Sequence, residues 1–298
     1  MRKLIAASLL VVTFLVACSR AQKTVTLALL GDMVLGRQVH AQSDSLGFLT
    51  SDLRAADLAL ANLESPLSAD PPASPGPYDL CAPAGRSGLL SAWGLDLLAL
   101  ANNHRLDCGP AGVEETRKVL ESAGLTGIGP GLPPVIRTVN GLRLAFLAFD
   151  DISSPLDGVA AAAAIRSRRE AGARVIVYVH WGMEYQSGPS PRQKALAAQF
   201  AGAGAVLVVG SHPHVLQPAA WIASAYGKTL VLYSLGNALF DQPGLADTRQ
   251  SALVLVGLDG EGVRSVRAVP FIIDVAASRV LAADAETGEQ IRERLGLR

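Results

Sequence analysis

Residues 205–218 read AVLVVGSHPHVLQP. The aliphatic run from Val206 to Val209 is the signature of a strand covered on both faces, as in the parallel sheets of α/β proteins. The run breaks at Gly210 and delivers His212 and His214 with Pro213 between them. In extended backbone, residues two apart point the same way, so both imidazoles are expected to reach one small volume beyond the strand. Two neutral imidazoles so placed suit a transition metal. A polar loop whose histidines bond nearby carbonyls is the alternative.

The same pattern recurs along the chain. The apolar runs 24–30, 57–61, 95–100 and 175–179 end in Gly31-Asp32, Asn62-Leu63-Glu64, Asn102-Asn103-His104 and His180-Trp181-Gly182. Between them lie helical stretches at 47–56, 87–93 and 156–171, and at 191–201 behind Pro191. A further helix is predicted to about Ala123 from Pro110 at its first position, with Glu114 and Glu115 in its early turns. Residues 135–149 read as a hairpin turning at Asn140-Gly141, and 69–83 as a Pro-rich loop. Strands follow at 229–233 and 252–258, with Asn237 and Asp241 in the loop between them. Residues 263–282 are strand-rich without helical periodicity. One α/β domain over 24–298 accounts for this order.

In open α/β sheets, ligands and catalytic groups gather beyond the carboxyl ends of strands. Of the five histidines, only His40 lies outside a strand-end motif. Two carboxylates, an amide and several imidazoles gathered there suit one or two divalent ions. A mixed nitrogen and oxygen set favours manganese, iron or zinc over calcium. A metal pair bridged by a carboxylate can activate water for attack on a phosphoryl centre.

Composition sets further bounds. The 298 residues are 50% hydrophobic and 17% charged, with no net charge. No basic surplus exists to neutralise a phosphate backbone, so a nucleic-acid partner is not expected. Residues 1–17 read as a leader, with Arg2 and Lys3 ahead of an apolar run too short to span a bilayer comfortably. Removing it leaves a net charge of −2, because it takes two of the 26 basic side chains and none of the 26 acidic ones. The run ends Leu15-Val16-Ala17-Cys18, which resembles a bacterial lipobox, with Cys18 as the lipid-bearing residue and 18–23 as a linker. A lipid anchor on the outer face of a membrane is therefore expected. Cys81 and Cys108 would then lie in a disulfide-permissive compartment, bonded or as free thiols.

The segments GDMVLGR (31–37), ANLESPL (61–67), ALANNHRLDCG (99–109), VHWGMEY (179–185), GSHPHVLQP (210–218) and YSLGNALFD (233–241) together resemble the motifs of the CapA family. These are capsule or poly-γ-glutamate biosynthesis proteins, related to the calcineurin-like metallophosphoesterases. The resemblance implies a four-layer α/β/β/α sandwich with a metal centre at the strand ends. By position it implies Asp32 and His214 on a first metal, Glu64 bridging both, and Asn103, His180 and His212 on a second. His104 matches the histidine that protonates the leaving-group oxygen, with Asp107 as its orienter. Asn237, Glu184 and Arg37 are candidate substrate contacts. The chain departs from the wider pattern at Val34, where a histidine ligand is usual, and at Glu64, usually aspartate. Ser211 and Ala238 also stand where many relatives carry a histidine and an aromatic residue.

Competing readings are weaker. Asp150-Asp151 raises a two-carboxylate glycosidase, but adjacent strand residues point to opposite faces. G-x-S-x-G, P-loop and dinucleotide fingerprints are absent from the sequence, which disfavours serine-triad and nucleotide-cofactor chemistry. Two functions remain. One is a metal-dependent phosphoester hydrolase. The other is a tethered accessory that binds an anionic surface polymer or assists its synthesis or export machinery.

Overall fold

The computed structural model describes residues 24–72, 76, 78–242 and 244–297. The leader, Cys18 and its linker lie outside the described residues. Strand β1 (Val25–Met33) is followed by α1 (Gly47–Ala55) and β2 (Leu58–Leu63). The short strands β3 (Leu67–Ser68) and β4 (Ala82–Pro83) pair with each other. Next come α2 (Ser87–Trp93), β5 (Leu97–Ala99), α3 (Gly112–Ser122) and β6 (Thr126–Ile128). The predicted hairpin is β7 (Val135–Val139) and β8 (Leu142–Asp150), with Asn140 and Gly141 at φ 50° and 77° as a tight primed turn requires. The chain continues through α4 (Gly158–Glu170), β9 (Arg174–His180), α5 (Pro191–Gly202) and β10 (Ala205–Ser211). It then adds β11 (Leu216–Ser224), β12 (Gly227–Leu235), β13 (Asn237–Leu239) and β14 (Gln250–Asp259). The last elements are β15 (Gly262–Asp274), β16 (Arg279–Ala282) and α6 (Ala285–Leu295).

Several elements differ from the sequence expectation. Strands β1, β2 and β9 run past their apolar stretches, so Asp32, Asn62 and His180 lie within the ladders. Pro110 precedes the capping residue Ala111 and so is not the first residue of α3. Asn237 is in β13, not a loop, and pairs with Asp32. The unanticipated α6 begins where the Asp284 carboxylate accepts the Thr287 N–H at 2.8 Å, and buries Ile291 and Leu295.

The first sheet has the order β16-β15-β14-β1-β2-β5-β6, with β13 added beside β1. Its β1, β2, β5 and β6 are mutually parallel. The second sheet has the order β11-β12-β10-β9-β8-β7, parallel from β12 to β8. Ala28, Leu30, Ala59 and Leu98 of the first sheet share an apolar cluster with α1, α2 and α3. Leu27, Leu29, Leu60 and Leu97 instead share one with Phe146, Ile176, Leu207 and Leu232 of the second sheet. Val175, Val177, Val208 and Val231 pack with Ile165 of α4 and Phe200 of α5.

One irregularity in this order aims the chemistry. Along β1, Leu27 and Leu29 face the second sheet and Ala28 and Leu30 face the helices. Simple alternation would send Asp32 to the helix side. Pairing with β2 is regular from Leu27–Leu58 to Leu29–Leu60, but the next pair is Asp32–Asn62. β1 therefore carries one extra residue, a bulge of the kind that re-aims a side chain. Beyond it Met33 joins the helix-side cluster, and Asp32 turns to the second sheet. Tyr178 of β9 reaches across to this point, its hydroxyl 3.3 Å from the Leu30 and Leu60 carbonyl oxygens. Gly31 is required beside the bulge, because a β-carbon there would overlap the Gly236 carbonyl.

Tyr178→Phe removes a buried donor from two carbonyls at the bulge. The expected cost is about 1–2 kcal/mol in denaturant unfolding, together with weaker metal binding because Asp32 is less firmly aimed. An unchanged unfolding midpoint would show that the hydroxyl does not hold the bulge.

Candidate metal centre

Asp32 and Glu64 stand at the carboxyl ends of β1 and β2, both fully buried. Asp32 Oδ1 accepts from Asn62 Nδ2 at 2.7 Å, and Oδ2 accepts from the His212 N–H at 2.9 Å. Neither Glu64 oxygen has a hydrogen-bond donor among the described residues. Burial raises the Asp32 carboxyl above its ordinary range, against the opposing pull of His214. Burial, and then the charge of Asp32, raises Glu64 much further. Buried carboxyl oxygens without donors cost free energy. A divalent cation is the group that would satisfy them.

The second sheet supplies imidazoles. His180, the last residue of β9, lies with Nε2 at 2.8 Å from Asn103 Oδ1 and 3.9 Å from Glu64 Oε1. Its Nδ1 meets Ser211 Oγ at 2.9 Å. Asp32, Glu64 and His180 each offer a ligand atom within 4.8 Å of the others. Burial, and then neighbouring imidazoles, hold His180 well below its usual range. The same causes bring His212 down to about 4. Both rings are therefore neutral at neutral pH, the form that binds metal.

His212 and His214 converge for a different reason from strand alternation. β10 ends at Ser211, and the two histidines have φ 92° and 57°. Left-handed backbone is uncommon for residues other than glycine and concentrates at functional sites. The His212 ring centroid is 4.8 Å from that of His180 and 5.9 Å from that of His214. Gly210 allows the strand to end here, since a β-carbon would overlap the Tyr233 carbonyl. His214 Nδ1 donates to Asn237 Oδ1 at 2.9 Å, while Asn237 Nδ2 donates to the Thr248 carbonyl at 3.0 Å. That carbonyl fixes the amide orientation and leaves His214 Nε2 as the ligand nitrogen. Asn237, predicted as a substrate contact, is fully buried and committed to His214.

His104 and Asp107 lie beside this centre. His104 Nδ1 is 2.8 Å from Asp107 Oδ2, and the same oxygen accepts the Leu80 N–H at 2.8 Å. Cys81 and Cys108, next in sequence to Leu80 and Asp107, form a disulfide with Cα atoms 5.1 Å apart. Asn102 accepts the His104 N–H and donates to the Leu63 carbonyl, tying this loop to β2. A cleft of about 760 Å³ opens here, lined by Arg37, Tyr78, His104, Glu184, Tyr185 and His214 among others. Arg37 is ion-paired with Asp241 and lies 5.3 Å from the Phe240 ring centroid, so its pair is largely sheltered rather than exposed.

The predicted carboxylates, Asn103 and the three imidazoles thus converge, with His104 and Asp107 at the rim and Arg37 and Glu184 in the cleft wall. Val34 is buried in the helix-side core and contributes nothing. Asp150 and Asp151 are separately paired with Arg105 and Arg192, so no two-carboxylate site forms. Sequence reasoning gave no supporting role to Asn62, Asn102, Ser211 or Tyr178. Tyr178 was the readable one, as a hydroxyl in an otherwise apolar buried strand needs a partner.

Residues 26–242 match the family model described as bacterial capsule synthesis protein PGA_cap. The chain is 30% identical to the capsule biosynthesis protein CapA of Bacillus anthracis, over 92% of this chain and 74% of the relative. It is 29% identical to the PGA biosynthesis protein CapA of Bacillus subtilis, over 85% and 73% respectively. A crystal structure of a hypothetical protein from Thermus thermophilus shares the fold. Its TM-score is 0.56 at 17% identity, covering 83% of this chain and 99% of that one.

Replacing Glu64 tests the electrostatic reading. In chelator-treated protein, Glu64→Gln should raise unfolding stability by about 1–2 kcal/mol, since it removes an acid held without donors. It should also abolish metal retention measured after dialysis. A destabilised variant that still holds metal would contradict the assignment.

Proposed function

The chain belongs to the bacterial capsule synthesis protein family PGA_cap, and on that premise we propose that it is a divalent-metal-dependent phosphoester hydrolase. The fully buried Glu64 carboxyl group, which has no hydrogen-bond partner among the described residues, carries this reading. The three apolar clusters support a four-layer α/β/β/α sandwich of the metallophosphoesterase type. Asp32, Glu64, Asn103, His180, His212 and His214 would hold one or two ions, and their mixed donors suit manganese, iron or zinc. Such ions, when bound, lower the pKa of water and stabilise charge on phosphoryl oxygens.

The chain's own residues supply the remaining chemistry. Asp107 accepts the Nδ1 proton of His104, leaving Nε2 to carry the proton delivered to a departing oxygen. The Leu80 N–H donates to that same carboxylate and holds it in place. Arg37, set by Asp241 and Phe240, presents a cation to an anionic substrate in the cleft. Asn237 fixes the His214 ring through Nδ1 and leaves Nε2 for a ligand.

The names of the Bacillus relatives support a substrate in the metabolism of an anionic surface polymer such as capsule or poly-γ-glutamate. Lipidation at Cys18 would tether the domain to the outer face of a bacterial membrane. The Cys81–Cys108 bond is compatible with that oxidising side. The second reading, a non-catalytic polymer-binding accessory, is favoured by Val34, which leaves the first site one imidazole short.

The full-length chain with Mn²⁺ should hydrolyse a generic aryl phosphate. His104→Ala should lower turnover by about 10²–10⁴-fold with bound metal unchanged, and Asp107→Asn should lower it less. Metal binding without turnover, indifferent to His104→Ala, would leave the accessory reading in its place.

A further inference from the structure

The first-strand position that usually supplies an imidazole is Val34, whose side chain is packed among Leu30, Leu63 and their helix-side neighbours. Its N–H is bonded to the Leu239 carbonyl at 2.9 Å. β1 therefore offers the first ion Asp32 and nothing more. We propose that Glu184 compensates as a metal ligand, forming with His212 and His214 a divalent-cation site beside the group of Asp32, Glu64 and His180. The inference rests on the metal-centre reading above and changes the role of Glu184 from substrate contact to ligand.

Geometry places the three together. Glu184, His212 and His214 each offer a ligand atom within 4.8 Å of the others, a group separate from Asp32, Glu64 and His180. Carboxylate with two imidazoles is a donor set for manganese, iron or zinc. The chain also fastens the Glu184 loop directly to the histidine turn. The Tyr185 N–H donates to the Pro213 carbonyl at 2.8 Å, with Tyr185 at φ 63°. The carboxylate is thus held beside the imidazoles by backbone, not only by a flexible side chain.

His214 gives Nδ1 to Asn237 and keeps Nε2 for a ligand. Arg37, which lines the same cleft, is ion-paired with Asp241. A third carboxylate also answers the charge arithmetic. Two divalent ions facing only Asp32 and Glu64 would leave a surplus of positive charge, and Glu184 reduces it.

Mn²⁺ titration of the full-length chain, with bound ions counted by elemental analysis and free Mn²⁺ by electron paramagnetic resonance, tests this. The expected result is two ions per chain. In Glu184→Gln one ion should be retained and the other bound about tenfold more weakly or worse, with Glu184→Asp restoring part of the loss. Glu184 is on the surface, so the variants should fold, as a thermal melt will confirm. Two ions at unchanged affinity in Glu184→Gln would overturn the proposal, as would a single ion in the parent chain retained by the variant. No Mn²⁺ at all would overturn the metal-centre reading with it. Two ions, one of them Glu184-dependent, would uphold the proposal even if no phosphate ester were hydrolysed.

Discussion

Two carboxylates buried between sheet edges, one supplied with donors and one without, set the terms on which the rest of the structure is arranged. Asp32 receives an amide and a backbone N–H. Glu64 receives neither, and its nearest titratable neighbours are a second acid and a neutral imidazole. Such a pair is unfavourable by itself, because the protein interior cannot replace the solvation that two anions lose. The surrounding groups are those that serve a cation: imidazoles, an amide oxygen, and hydroxyl and amide partners that orient them. Large apolar clusters on either side of the sheets supply the stability that this edge does not.

The topology explains why such a group can assemble. Parallel strands in each sheet send their carboxyl ends toward the same region, so polar residues far apart in sequence become neighbours. Asp32 and His212 are 180 residues apart, yet joined by a backbone hydrogen bond. Cross-sheet ties from Tyr178 to Leu30 and Leu60 fix how the two ends meet. On the rim, one carboxylate oxygen of Asp107 holds both His104 and the loop at Leu80, and the neighbouring disulfide ties the same two segments covalently. The acid is thus braced from the side away from the buried carboxylates, although Asn103, its neighbour in the same loop, reaches His180.

Much of this was legible. Apolar runs of strand length, each ending in a polar cluster, identify both the sheets and the candidate ligands, because burial and coordination demand different residue types. The parts that escaped depend on backbone geometry that side-chain types do not encode. Alternation in β1 predicts the wrong face for Asp32, since a bulge leaves almost no compositional trace beyond Gly31. The convergence of His212 and His214 was anticipated for the wrong reason, because their left-handed backbone cannot be read from an i, i+2 spacing. Asn237 looked like a cleft residue because its partner, His214, is distant in sequence. The pairing of Cys81 with Cys108, a separation of 27 residues, likewise depends on a tertiary distance.

The bulge in β1 makes the location of a charge depend on backbone register as well as on residue identity. Removing one residue between Leu29 and Asp32 would leave every candidate ligand in the sequence and could restore an unbroken ladder with β2. Asp32 would still pair with Asn62, now two positions beyond the Leu29–Leu60 pair, so its carboxylate would stay on the face of Leu29 and toward the imidazoles. For engineering, the bulge itself is the parity switch: straightening it at unchanged chain length would carry the acid to the helix side, whereas removing its extra residue would not.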